Sequence, residues 1–178
     1  MEKTKKIAMV IAFRNFRDEE YFIPKEILEK AKAEVATVST KLGIAIGVNG
    51  GDIGVDILLE SLNPNDFDAV VFIGGSGCLE NLDNEESYKV IKETVSQNKI
   101  LGAICISPVI LAKAGVLTGK KATVWSSVMD KSPIKKLKEN EAVYEDKPVV
   151  VDGNIITGDG PEAAENFGEK LVEMLTKK

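Results

Sequence analysis

Histidine is absent from the 178 residues, and that absence excludes more than any other feature of the chain. No imidazole is available as a base, and no zinc site that relies on His ligands can be built. The only cysteines are Cys78 and Cys105. They cannot make a disulfide framework, and without histidine they cannot complete a structural zinc site. Two lone thiols suit a reducing compartment, so the expected location is cytoplasmic. Met1 to Lys6 is charged and leads straight into a strand, with no apolar signal-peptide core behind it. No apolar run approaches the roughly 20 residues that cross a bilayer. A formal net charge of −5, with no basic cluster or aromatic-basic stripe, argues against a nucleic-acid surface. Neither a metal, a nucleic acid nor a membrane is an expected partner.

What is present is an ordinary globular balance, 44% hydrophobic and 29% charged, enough for one well-buried core. Residues 1–178 are read as a single domain. Ile7 to Phe13 is a near-continuous apolar run, the mark of a strand covered on both faces. Arg14 to Glu20 turns into a helix with Ile23, Ile27, Leu28 and Ala31 on one side, in which Pro24 is tolerated if it lies in the first turn. Asp18, Glu19 and Glu20 at such a helix start are favoured by the dipole whatever else they do. Glu34 to Ser39 is a second strand. Leu42 to Val55, broken by Asn49-Gly50-Gly51-Asp52, reads as a hairpin appended to the main sheet. Asp68 to Ile73 is the next buried strand and runs into Gly74-Gly75-Ser76-Gly77-Cys78. Glu85 to Gln97 is amphipathic through Tyr88, Ile91 and Val95. Ala122 to Trp125 reads as a strand, and Ser126 to Glu141 as an exposed loop or short helix. Asp152-Gly153-Asn154 between apolar stretches makes a tight hairpin. The last helix carries Ala164, Phe167, Leu171, Val172 and Leu175 at helical spacing. Strands alternating with helices give the α/β class, a three-layer sandwich with helices on both faces of a mostly parallel sheet. Sites in such sheets form at the carboxyl ends of strands, where the loops holding Glu20, Gly74-Gly75 and Cys105 all fall.

The chain is organised around Lys99 to Ala112. A short apolar strand runs to Cys105, a sharp turn follows, and Pro108 stands where a first-turn helix proline belongs. Position alone leaves two accounts of Cys105 open. The positive end of the helix favours thiolate over thiol, or the cysteine fills core space as a small hydrophobe.

Taken together these pieces resemble the PfpI/DJ-one superfamily over essentially the whole chain. The resemblance rests on Glu20-x-x-x-Pro24, on Gly74-Gly75 after a core strand, and on Ala103-Ile104-Cys105-x-x-Pro108. Val151-Asp152-Gly153-Asn154-Ile155-Ile156-Thr157 followed by Gly160-Pro161 completes it. It implies a flavodoxin-like version of the sandwich, shared with class I glutamine amidotransferases, and a homo-oligomer. It also implies that Cys105 is the nucleophile in a strained turn and that Glu20 hydrogen-bonds its sulfur. A carboxyl held there away from water is pushed toward its protonated form. Backbone groups at Gly74, Gly75 and Ile106 are candidates for an oxyanion site, although glycines after a strand also serve simply to turn the chain. Trp125 and Cys78 are candidates for the pocket.

The departures from the superfamily pattern shape the functional expectation. The peptidase-like branch carries His directly after the nucleophile, where this chain has Ile106. The DJ-one branch carries His on a later strand, and Trp125 stands in its place. Asp159 occupies the position of a basic residue usual before the final Gly-Pro. Cys-His activation is therefore missing, and neither peptidase nor glutaminase activity is expected. What the resemblance leaves is a stress-response protein acting on small reactive aldehydes such as methylglyoxal, of glyoxalase or deglycase type. Cys105 would add to the carbonyl while Glu20 moves the proton. The alternative is a non-catalytic redox sensor or chaperone-like protein whose Cys105 is oxidised to sulfinate. Cys78 is either a resolving thiol or a small residue at a helix start. Arg14 and Arg17 either attract an anionic substrate or are solvated loop charges. No cofactor is expected. Arg14-Asn15-Phe16-Arg17 is not a phosphate cradle for flavin, and in Gly75 to Glu80 the last residue replaces the third glycine of a dinucleotide motif. The end of the first strand also lacks the paired acids of a phosphoacceptor site.

Overall fold

Apolar runs with no polar alternation lie at the centre of the molecule. The computed structural model describes residues 3–177. Its strands are β1 (Lys6–Val10), β2 (Arg14–Phe16), β3 (Glu34–Ser39), β4 (Gly43–Gly47), β5 (Asp52–Val55), β6 (Ile57–Leu58), β7 (Ala69–Phe72), β8 (Ile100–Ile104), β9 (Lys121–Ala122), β10 (Val143–Tyr144), β11 (Val149–Asp152) and β12 (Ile155–Gly158). Its helices are α1 (Asp18–Lys30), α2 (Cys78–Leu82), α3 (Glu85–Ser96), α4 (Pro108–Lys113), α5 (Ser132–Glu139) and α6 (Ala164–Thr176). The main sheet has the order β11-β12-β8-β7-β1-β3-β6. All neighbours in it are parallel except the β11–β12 hairpin.

Successive strand residues point to opposite faces, so one unbroken run feeds two cores. Ile7, Met9 and Ile11 pack with Tyr21 and Leu28 of α1 and with Phe167 and Leu171 of α6. Ala8 and Val10 pack instead with Val90 and Ile91 of α3 and Ile110 and Leu111 of α4. The α/β three-layer architecture expected from the sequence is the one observed. Among the described residues no helix is long and apolar enough to cross a membrane.

Several local expectations are corrected. β1 ends at Val10 rather than at Phe13, and the residues beyond it start a separate three-stranded sheet, β2-β4-β5. The β4–β5 hairpin therefore belongs to that small sheet and not to the main one. Pro24 lies in the interior of α1, not in its first turn. Lacking an N–H, it leaves the carbonyl of Glu20 without the usual helical partner. The proline is buried where α6 approaches closely. A Cβ on Gly168 would lie 3.0 Å from Pro24 Cα. Of Ala122 to Trp125 only the first residue is in a strand, β9, which pairs with β10. The remainder bends toward the β8 and β12 ends, where Thr123 N–H donates to Thr157 Oγ1 at 2.9 Å and Trp125 N–H to Cys105 O at 2.8 Å. The segment 126–141 contains the short helix α5.

Candidate active site

Three loops meet at the carboxyl ends of the parallel strands. Arg17 N–H donates to Gly74 O at 2.9 Å, and Gly77 N–H donates to Asn15 O at 3.0 Å, so the loop before α1 is laced to the loop after β7. Gly75 is required there. It has φ +117°, and a Cβ would sit 2.5 Å from both Arg17 N and Asn15 O.

Cys105 follows β8 with φ +67°, a left-handed conformation that few non-glycine residues adopt. Such strain costs on the order of 1–3 kcal/mol and persists only where the surroundings enforce it. Cys105 N–H donates to Gly158 O at 2.9 Å, and Cys105 O accepts the Trp125 N–H. Behind the turn, the fully buried Ser107 hydroxyl accepts Ile104 N–H at 2.9 Å. It shares its own proton between Phe72 O and Ile104 O, each at 2.8 Å. Ser107 therefore ties the ends of β7 and β8 together under the cysteine. Ser107→Ala leaves a buried N–H without its acceptor and is expected to lower stability by about 1–3 kcal/mol, read from urea unfolding.

The acidic start of α1 divides into separate roles. Asp18 accepts Asn49 N–H at 2.8 Å and Gly51 N–H at 2.7 Å, fastening the β4–β5 hairpin. Glu19 pairs with Arg17. Glu20 is fully buried; its Oε2 accepts Gly74 N–H at 3.0 Å. The carboxyl lies against the Cys105 thiol closely enough to shift both groups. Oε1 nevertheless has no well-aligned donor among the described residues. Burial raises the Glu20 pKa from 4.5 to about 7, against smaller downward pulls from the Cys105 contact, the Gly74 N–H and the Arg17 charge.

The Cys105 thiol is pushed up, first by burial and then by the negative charge of Glu20, while the Ile106 N–H at the sulfur pulls it down. Of the two accounts that position alone left open, the thiolate favoured by a helix end is outweighed here by burial and the carboxyl. Pro108 begins a helix of only 6 residues, and the turn before it carries the sulfur inward against a carboxyl.

A cavity of about 390 Å³ opens onto the pair, lined by Glu20, Cys105, Gly75, Ile106 and Trp125 together with Arg17, Ser76, Leu79 and Pro161. Two candidates are placed elsewhere. Gly74 is not in the cavity wall, and its N–H is already given to Glu20, so it positions the carboxyl and is not open to an oxyanion. Cys78 is fully buried at the start of α2 among Val10, Phe72 and Leu82 on the α3/α4 side, where burial raises its thiol. Native protein is accordingly expected to take up one equivalent of iodoacetamide, at Cys105, with Cys78 reacting only after unfolding. Labelling at Cys78 in the folded state would refute that. Among the described residues no group of Cys, Asp and Glu is arranged to hold a metal ion. Sequence reading did not find the bridging role of Ser107, because a serine before Pro108 signals only a helix start.

The DJ-1/PfpI family model matches residues 5–174. An uncharacterised protein of Methanocaldococcus jannaschii is 43% identical over 98% of this chain and 84% of its own length. A deglycase of Pyrococcus abyssi is 31% identical over 94% of this chain and 98% of its own. The crystal structure of a ThiJ/PfpI domain protein from Brachyspira murdochii matches with a TM-score of 0.93 at 33% identity, covering 99% of both chains. With residues 5–174 and the fold matched in this way, this chain belongs to the DJ-1/PfpI family.

Proposed function

We propose that this protein removes small reactive 2-oxoaldehydes by covalent cysteine chemistry of the glyoxalase or deglycase type. The observation that carries this reading is the Glu20 carboxyl, raised to about 7, lying against the Cys105 thiol at the wall of one cavity. A base whose pKa is near the working pH is well matched to taking a thiol proton during attack. The deglycase name of the Pyrococcus abyssi relative supports the same class.

The steps balance without a cofactor. Sulfur bonds to the aldehyde carbon as the thiol proton passes to Glu20, and Glu20 returns that proton to the new alkoxide, giving a hemithioacetal. The Gly75 N–H serves the developing oxyanion, while the Ile106 N–H is held at the sulfur. The Gly75 N–H has no other acceptor among the described residues. Glu20 then takes the C1 proton and delivers it to C2 while the C1 hydroxyl proton passes to the C2 oxygen, leaving a 2-hydroxy thioester, and water cleaves it to a 2-hydroxy acid and free thiol. Peptidase chemistry has no support in a chain without histidine.

A second reading has its own observation. Glu20 Oε1, buried and without an aligned donor, would give a hydrogen bond to an oxidised sulfur once protonated. Methylglyoxal separates the two readings. Formation of many equivalents of 2-hydroxy acid per protein supports the enzyme. Absence of turnover, with two equivalents of peroxide converting Cys105 once per protein to sulfinate, supports the sensor.

A further inference from the structure

We infer that Arg17 gives the cavity a preference for aldehydes that carry an anionic group, a carboxylate or a phosphate; this rests on the aldehyde reading above. Two arginines flank β2, and they are used differently. Arg14 Nη1 donates to Phe13 O at 3.1 Å and Ile44 O at 3.0 Å, and its guanidinium lies over the Phe13 ring at 4.5 Å. It is a clamp on the small sheet and takes no part in the cavity wall. Arg17 does line the cavity, beside Glu20, Cys105 and Trp125.

Its backbone is fixed to Gly74 O, so the side chain starts from an anchored point rather than from a free loop. The side chain is 35% exposed and its Nε pairs with Glu19 Oε2 at 3.0 Å. Neither Nη group makes a hydrogen bond to the described residues, although the guanidinium charge is paired with Glu19 and acts on Glu20. A planar fork of unused donors at a cavity wall is the geometry that carboxylates and phosphates fit, and a lysine would not reproduce it. Arg17 is also the only cation among the residues that line this cavity. A neutral aldehyde leaves those donors to water. An anionic one engages them while its carbonyl faces Cys105.

The test uses Trp125, the single tryptophan of the chain and a wall of the cavity, as a fluorescent reporter. The Cys105→Ala protein is titrated with glyoxylate, with glyceraldehyde 3-phosphate and with the neutral glyoxal, so that only non-covalent binding is read. At least one anionic probe is expected to bind about 10- to 100-fold more tightly than glyoxal. Whichever of the two does so assigns carboxylate or phosphate. Arg17→Gln in the same background should abolish the preference, and Arg17→Lys should keep part of it. Arg17 makes no side-chain cap to α1, so both variants are expected to fold. Equal affinity for all three probes, or a preference that survives Arg17→Gln, overturns the inference. Failure of methylglyoxal turnover would remove the aldehyde chemistry instead, and it is read in a separate assay.

Discussion

Replacing Cys105 by alanine is expected to lower methylglyoxal turnover at least about a thousandfold, because the covalent step then has no nucleophile. The other cysteine cannot substitute. Cys78 is fully buried, outside the cavity, on the opposite side of the sheet. The variant should stay folded, since the turn is held by the backbone bonds to Gly158 and Trp125 and by Ser107. None of these uses the sulfur. Circular dichroism of the variant checks the fold, and product formation checks the loss. Activity within tenfold of the parent would remove Cys105 from the mechanism.

The second large effect is that Glu20→Gln loses activity and gains stability in one change. Removing the proton carrier is expected to cost about 10²- to 10⁴-fold in turnover. Stability moves the other way for a reason that follows from the raised carboxyl. In the unfolded chain Glu20 ionises near 4.5, whereas in the native site it holds its proton to about 7. Between those values unfolding releases a proton, so native stability falls as pH rises, by about 3 kcal/mol once both states are ionised. Glutamine does not titrate and escapes that loss. After the cost of a buried amide beside the thiol, Glu20→Gln is expected to be about 1–3 kcal/mol more stable than the parent at pH 8. The difference should shrink toward pH 5. Urea unfolding at the two pH values measures it, and a variant less stable than its parent at pH 8 would contradict a Glu20 destabilised by burial.

Much of this arrangement was legible in the residue order, and the exceptions have physical causes. The buried strands declared themselves because parallel sheets need apolar residues on both faces, as Ile7 to Val10 and Ala69 to Phe72 show. The meeting of Glu20, Gly75 and Cys105 followed from strand carboxyl ends lying on one side of such a sheet. What one dimension hides is reach. Gly74 and Gly75 are adjacent and look alike, yet one gives its N–H to Glu20 while the other faces the cavity. Arg14 and Arg17 differ in the same way. The state of the Cys105 thiol also depended on three dimensions. A helix start was visible in the sequence, but the burial and the carboxyl that outweigh it are set by where the turn aims the sulfur. Pro24 sits mid-helix where α6 packs closely at Gly168, a contact between residues far apart in the chain.

The central claim is that Glu20 and Cys105 act as one acid–base pair, and the pH profile of kcat/KM for methylglyoxal tests it most directly. With Glu20 at about 7, the base is mostly protonated at pH 6 and mostly ionised at pH 8. The rate is expected to rise about tenfold from pH 6 to its plateau, with a midpoint near 7. Glu20→Gln should lack that limb, its residual rate climbing only above the ordinary thiol range, because burial still holds the Cys105 thiol up. A wild-type profile flat from pH 6 to 8, or a limb near 7 that persists in Glu20→Gln, would contradict the account.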